Sequence, residues 1–255
     1  GLQFDPGPVE TSLERWGWVP PAQIYAGAYW ALFSSAFLHG DIMHLAFNLF
    51  WLVRLGRRFE EMVGSGKWLV FVASAIAVTA GAQLALGAES GYGASGVGYA
   101  LASFMWVLRR RVPAFAELVG PKTAGVFLIW LVACLVATFA GVVNVANAAH
   151  FSGLAFGAAL GAWAGKLLPR PVASGAVALI GLATVGSLFW APWSPHWTFH
   201  QGAAAYQRED YAAAIRWYER SRELGQNPEL CRQNIELTLQ IMNRPGAASP
   251  TNAPP

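Results

Sequence analysis

Residues 36–58 read AFLHGDIMHLAFNLFWLVRLGRR, an apolar run that opens on two histidines, an aspartate and an asparagine and closes on three arginines. Polar side chains are costly inside a membrane and are functional candidates by default. His44 and Asn48 are four residues apart, so they project from one face of a helix, one turn from each other. His39 precedes that helix in a turn with Gly40 and Asp41. A plainer alternative stands beside this: Asp41 is suited to cap the helix, and the histidines to hydrogen-bond with their neighbours.

Composition places the whole chain in lipid. Its 255 residues are 55% hydrophobic and 12% charged, where a soluble domain carries about 25% charged residues. The net charge of +3 gathers into no patch of the kind that binds nucleic acid, so no nucleic-acid partner is expected. Cys134 falls in an apolar stretch and Cys231 in the polar tail, so no disulfide between them is expected. The opening GLQFDPGPVE lacks the basic and apolar regions of a signal peptide. As the sequence starts without methionine, processing or further upstream residues are expected.

Six stretches approach the ~20 helical residues that cross a hydrocarbon core: A (41–57), B (67–88), C (94–108), D (123–143), E (147–168) and F (172–192). An aromatic stretch at 24–38 is shorter and reads as an interfacial segment. Arg54, Arg57, Arg58 and Lys67 lie between A and B, Arg109, Arg110, Arg111 and Lys122 between C and D, and Lys166 and Arg170 between E and F. The positive-inside rule then makes those connections cytoplasmic. Spans A, C and E thus begin on the outer side, where His44, Ser95 and His150 come to similar depth.

Two further motifs carry chemistry. GYGASGVGYA (91–100) opens span C with a small-residue turn. Such a turn exposes a nucleophile at Ser95 and aims backbone N–H groups at a developing oxyanion, while Gly93 and Gly96 allow close approach. Small residues are also common where membrane helices simply pack. NVANAAHFSGLAFGAALGAWAG (144–165) repeats glycine every four residues, at 153, 157, 161 and 165. That smooth stripe, with His150 near its outer end, would let span E approach span C until imidazole and the Ser95 hydroxyl meet. Serine needs such a base within ~3 Å to act as a nucleophile. A metal site is the weaker reading, because Asp41 is the one carboxylate beside the histidines and no His-Glu-x-x-His pattern occurs. No metal and no cofactor are expected.

Taken together and in this order, HGDIMHLAFN (39–48), GASG (93–96) and AHFSGLAFG (149–157) resemble the rhomboid intramembrane serine proteases over roughly residues 15–168. GRRFEEMVGSGK (56–67) looks like that family's turn after its second helix. The resemblance implies an all-α polytopic bundle in which spans A to E are the second to sixth core helices. The first has no counterpart here, and span F is additional. It implies Ser95 as nucleophile and His150 as general base, with His44, Asn48 and the Ser95 backbone N–H facing the oxyanion. Tyr99 would pack on the imidazole, His39 would support the loop around the site, and Glu60 would brace the preceding loop. The implied substrates are single-span membrane proteins that enter laterally from the lipid bilayer. A non-catalytic rhomboid-like protein that binds membrane clients is the alternative.

The resulting organisation is a pre-helix and interfacial segment (1–40), a catalytic core (41–168), an additional membrane helix (169–197), a soluble helical hairpin (198–243) and a disordered end (244–255). In the hairpin, the spacing of Gly202, Tyr211, Ala214 and Tyr218 resembles one tetratricopeptide unit. Its face around Tyr211, Ile215 and Tyr218 is expected to rest on the protein's outer surface or on a protein partner. The expected location is the bacterial inner membrane, with the site and the hairpin both extracytoplasmic.

Overall fold

The computed structural model describes residues 16–87 and 91–243. The first 15 residues of the expected pre-helix segment and the expected disordered end lie outside the described residues. The architecture is all-α, with no strand among the described residues. Two short helices, α1 (Pro21–Tyr25) and α2 (Ala31–Ser34), lead through a 3₁₀ turn at Ser35–Phe37 into α3 (Ile42–Val63). The bundle continues with α4 (Ser65–Leu86), α5 (Ser95–Leu108), the short α6 (Pro113–Leu118), α7 (Pro121–Phe139), α8 (Asn147–Ala164) and α9 (Arg170–Phe189). Three polar helices follow: α10 (Pro195–Gln207), α11 (Tyr211–Glu223) and α12 (Pro228–Met242).

Local chemistry explains the boundaries. Segment Ala31–Phe37 meets α3 at 98°. Asp41 sits at that corner and its carboxylate accepts from the His44 N–H at 2.8 Å, a cap worth about 1 kcal/mol. Proline occupies the first turn of α6, α7, α10 and α12, where a missing N–H costs nothing. Span A, expected to end at 57, runs on to Val63. A π-helical stretch at Leu52–Gly56 sets Gly56 against the Trp68 ring, and the chain turns only at Gly64, where φ is +85°. GRRFEEMVGSGK is therefore mostly helix rather than turn.

α5 is the axis of the bundle. Eleven of its 14 residues are buried, and at ~1.5 Å per residue it is shorter than a ~30 Å hydrocarbon core. Among the described residues, α4, α7 and α9 are each long and apolar enough to cross a membrane unaided, and the bent pair ending in α3 passes the same test only when its two parts are taken together. Spans C and E, now α5 and α8, do not meet that test. The physical reason is shelter, because neighbouring helices rather than lipid solvate α5 and the inner face of α8. The protein is thus a multi-pass membrane protein whose two least lipid-adapted helices carry Ser95 and His150.

The glycine stripe does what its spacing predicts. A Cβ at Gly153 or Gly157 would run into the Gly96 or Ala100 carbonyl, and one at Gly161 would lie 3.0 Å from the Phe104 carbonyl oxygen. Each glycine of α8 thus faces a residue of α5 that repeats with the same four-residue period. At the far end, Arg111 donates to the Gly165 carbonyl and closes the last turn of α8.

The additional span F is α9, which leans on α4 where a Cβ at Gly81 would meet the Thr184 methyl at 2.5 Å. It ends at Phe189, three residues short of the expected end of span F at 192, and α10 begins at Pro195, inside the segment expected to belong to the membrane helix up to 197. The expected hairpin is in fact three helices. Tyr218 is fully buried and lies over Gly202, where a Cβ would come within 2.7 Å of the ring. Tyr218 therefore packs inside this unit rather than on an outer surface. The unit does rest on the protein, but through Phe199, Trp197 and Trp217, which cluster with Ala22, Ile24 and Tyr25 of α1. Both cysteines are free and buried, so Cys231 is no probe of which side the tail occupies.

Gly157→Val should cost the protein about 1–3 kcal/mol by forcing α8 off α5. Gly175→Val, on a face of α9 with open space around it, should be close to neutral. Thermal unfolding of both variants in detergent checks this, and equal midpoints would show that the stripe is not the packing surface.

Candidate active site

The glycine contact brings two ends together. Ser95 opens α5, behind the turn made by Gly93 with φ +99°, and His150 stands one turn into α8. Ser95 Oγ and His150 Nε2 are 2.8 Å apart, a hydrogen bond between residues 55 positions apart in sequence. His150 is 3% exposed, so water does not compete for that contact. Its Nδ1 is buried and has no hydrogen-bond partner among the described residues. Among the described residues, no carboxylate hydrogen-bonds to the imidazole.

Tyr99 lies one turn below Ser95 and supports the ring instead. The Tyr99 and His150 ring centroids are 4.6 Å apart at 38°. Tyr99 is itself fixed, since its hydroxyl donates to the Phe127 carbonyl of α7 at 3.2 Å. The imidazole is thus oriented by packing on a clamped phenol.

His44 and Asn48 of α3 converge on the same turn. His44 Nε2 stands 2.8 Å, and Asn48 Nδ2 3.2 Å, from the place a Cβ on Gly93 would occupy. Only glycine fits there, both for its positive φ and for this approach. Asn48 is buried, and its Nδ2 has no partner among the described residues. An orphaned buried donor is expensive unless something accepts from it at work. Ala94 provides no side-chain cap to α5, so the N–H groups of its first turn, Ser95's included, lack intrahelical acceptors as well. Donors from α3 and α5 therefore surround the space beside Ser95 Oγ.

His39 lies behind them. Its Nδ1 bonds the Phe37 carbonyl at 3.2 Å and its ring meets His44 edge-on at 4.9 Å, so it props the loop side of the site. Glu60 is elsewhere. It accepts from the Ser65 hydroxyl at 2.6 Å across the turn that follows it, at the opposite end of α3 from His44. The expectation that it braces the preceding loop is corrected: a carboxylate three residues before the helix end reaches forward over Gly64.

Several site residues were not singled out from sequence. Gln83 of α4 accepts from the Ala149 N–H at 3.3 Å, immediately before His150. As an amide inside span B it carried the same signal of intramembrane polarity that marked Asn48. Tyr92 closes over Gly40, with its hydroxyl 3.1 Å from where a Cβ would stand. Phe47 and Trp51 of α3 and Phe127 and Trp130 of α7 line a cavity that reaches Ser95. Phe47 stacks on Trp130 at 4.9 Å and Trp51 meets Phe127 at 4.7 Å. An aromatic pairing between distant helices leaves no mark in local sequence.

The segment that holds these residues is similar to known proteins. Residues 26–167 match the family model of the Rhomboid domain, over more than half of the chain. The chain is 36% identical over 135 residues to Rhomboid protease GlpG of Yersinia pseudotuberculosis, covering 52% of this chain and 48% of that protein. It is 34% identical over 145 residues to Rhomboid protease GlpG of Klebsiella pneumoniae, covering 57% of this chain and 51% of that one. The chain spans about half the length of the curated relatives it matches. With the matched segment holding the 2.8 Å Ser95–His150 contact and the α5–α8 glycine interface that creates it, the chain belongs to the rhomboid family.

Proposed function

We propose that this protein is an intramembrane serine endopeptidase that cleaves membrane-protein segments through Ser95 and His150. The observation that carries the reading is the 2.8 Å hydrogen bond from the serine hydroxyl to a buried imidazole beside an unpaired Asn48 amide. Ser95 Oγ attacks the scissile carbonyl carbon while His150 Nε2 takes its proton. The carbonyl oxygen becomes an oxyanion held by Asn48 Nδ2, His44 Nε2 and the Ser95 N–H. His150 then gives its proton to the leaving amine, which departs and leaves an acyl-enzyme. Water, deprotonated by the same imidazole, releases the acid product and restores the serine. Each preorganised donor of this kind is typically worth about 2.7–4 kcal/mol of barrier.

The substrate class follows from where the cavity opens. Between α3 and α7 the Phe47–Trp130 and Trp51–Phe127 contacts flank the cavity that reaches Ser95. α7 has just 11% of its span buried inside the protein, so it is weakly tied to the bundle. A single membrane-spanning helix entering there would present a bond to Ser95 once locally unwound. Small or helix-weakening residues near that bond would make this cheaper. The same reading puts the chain in a bacterial inner membrane with Ser95 toward the extracytoplasmic side. The tail unit, tetratricopeptide-like in its Gly202–Tyr218 contact, then lies on that side too and serves to restrain or recruit protein substrates.

Ser95→Ala and His150→Ala should each abolish cleavage of a single-span substrate in proteoliposomes and abolish covalent labelling by a fluorophosphonate. The double variant should be no worse than either single one, because the two act as a unit. Residual cleavage by Ser95→Ala would end the proposal, and a folded wild-type protein that neither cleaves nor labels would favour client binding.

Asn48→Ala should lower kcat roughly a hundredfold with little change in KM, as loss of an oxyanion donor does. A rise in KM alone would make Asn48 a substrate-binding residue instead. For orientation, a cysteine placed at exposed Glu219 should react with a membrane-impermeant maleimide added outside intact cells. Labelling only after lysis would put the tail in the cytoplasm.

A further inference from the structure

Tyr25 of α1 is 5% exposed and lies far from Ser95 in sequence, yet three elements meet on its hydroxyl. It donates to the Leu84 carbonyl at the end of α4, at 3.3 Å, and hydrogen-bonds with the side chain of Ser194. Ser194 is wholly buried and caps α10, where its hydroxyl accepts from the Trp197 N–H at 3.3 Å. Burial pushes the Tyr25 phenol up to about 12, against a smaller opposing effect of Ser194, so it stays protonated and donating at any working pH. Phenylalanine would fill the same space, but it would leave the Leu84 carbonyl and the Ser194 hydroxyl without this partner.

From that point two short routes reach the two halves of the dyad. Along the first, Tyr25 packs in one cluster with Ala31 and Leu32 of α2, together with Ala191 and Trp197. α2 runs into the Ser35–Phe37 turn, whose Ser35 carbonyl accepts from the Gly93 N–H at 2.9 Å. Gly93 is two residues before Ser95 and forms the wall against which His44 and Asn48 rest. Along the second route, Leu84 adjoins Gln83, whose side-chain oxygen accepts from the Ala149 N–H, one residue before His150. We propose that Tyr25 is a positioning residue, through which the docked C-terminal helices hold the Ser95 turn and the His150 turn in register.

This rests on the protease reading of Ser95 and His150, but the contacts it invokes can be measured separately. The full chain in lipid nanodiscs is compared with Tyr25→Phe and with Ser194→Ala, which loosens the joint from the other side while leaving the tyrosine in place. Amide hydrogen exchange of segments 91–98 and 146–150 reads the register directly. Fluorophosphonate labelling of Ser95, and the kcat and KM of substrate cleavage, read its consequence. Both variants should speed exchange in the two segments and slow labelling and kcat about tenfold, less than the hundredfold that ~1 Å of misplacement can cost. KM should stay as in wild type while kcat falls in the folded fraction, a split that a merely structural role would not produce. Faster exchange confined to 195–243, with 91–98 and 146–150 unchanged, would overturn the proposal. A wild type that never labels would instead sink the protease reading, while the exchange comparison still decides the coupling. Should Tyr25→Phe fail to fold, Ser194→Ala gives the same comparison.

Discussion

Everything at the site depends on how closely two helix backbones can approach. With ordinary side chains between them, α5 and α8 would stand 8–10 Å apart, and an imidazole on one would not reach a hydroxyl on the other in this geometry. Glycine at 153, 157 and 161 removes that spacer, so the carbonyls of Gly96 and Ala100 occupy the space a Cβ would take. In lipid there is no hydrophobic force to draw helices together, so smooth contact and dispersion must do it. The same contact that stabilises the bundle therefore sets the 2.8 Å distance between Ser95 and His150.

A second constraint is the cost of polarity at depth. His44, Asn48, Ser95 and His150 are all placed where an unpaired group is expensive, and the bundle resolves only part of this. Ser95 and His150 satisfy each other, and Tyr99 supports the ring by packing. Asn48 Nδ2 and His150 Nδ1 are left without partners among the described residues. The two orphans differ in meaning. The amide lines the same cavity as Ser95, where the proposed oxyanion would pair it. The imidazole nitrogen lies on the side of the ring opposite Ser95, with packing on Tyr99 in place of a hydrogen bond.

Much of this could be read from the chain before any coordinates. The glycine period at 153–165 gave both the partner helix and the face, and the cluster of His39, His44 and Asn48 gave the start of α3. These signals are local and periodic, so sequence preserves them. The Glu60 expectation failed because a carboxylate can brace either side of a helix end, and only the turn at Gly64 decides which. The tail was half legible: the Gly202–Tyr218 spacing was informative, but Tyr218 faces inward, and docking falls to Trp197, Phe199 and Trp217. Pairings such as Phe47 with Trp130, or Tyr25 with Leu84, join residues with no mutual periodicity. They become visible only when the helices are in place.

The docking of α10 on α1 also has a meaning in time. Tyr25 is among the first described residues to leave the ribosome and Ser194 among the later ones, so their contact cannot form until α3 to α9 have been made and inserted. Long-range contacts of this kind close late in folding. A nascent chain with Ser95 and His150 already in the membrane would still lack the strut behind its α1–α2 segment. If Ser95 and His150 form the proposed hydrolytic pair, that pair would come into full register only once the last helices had been delivered.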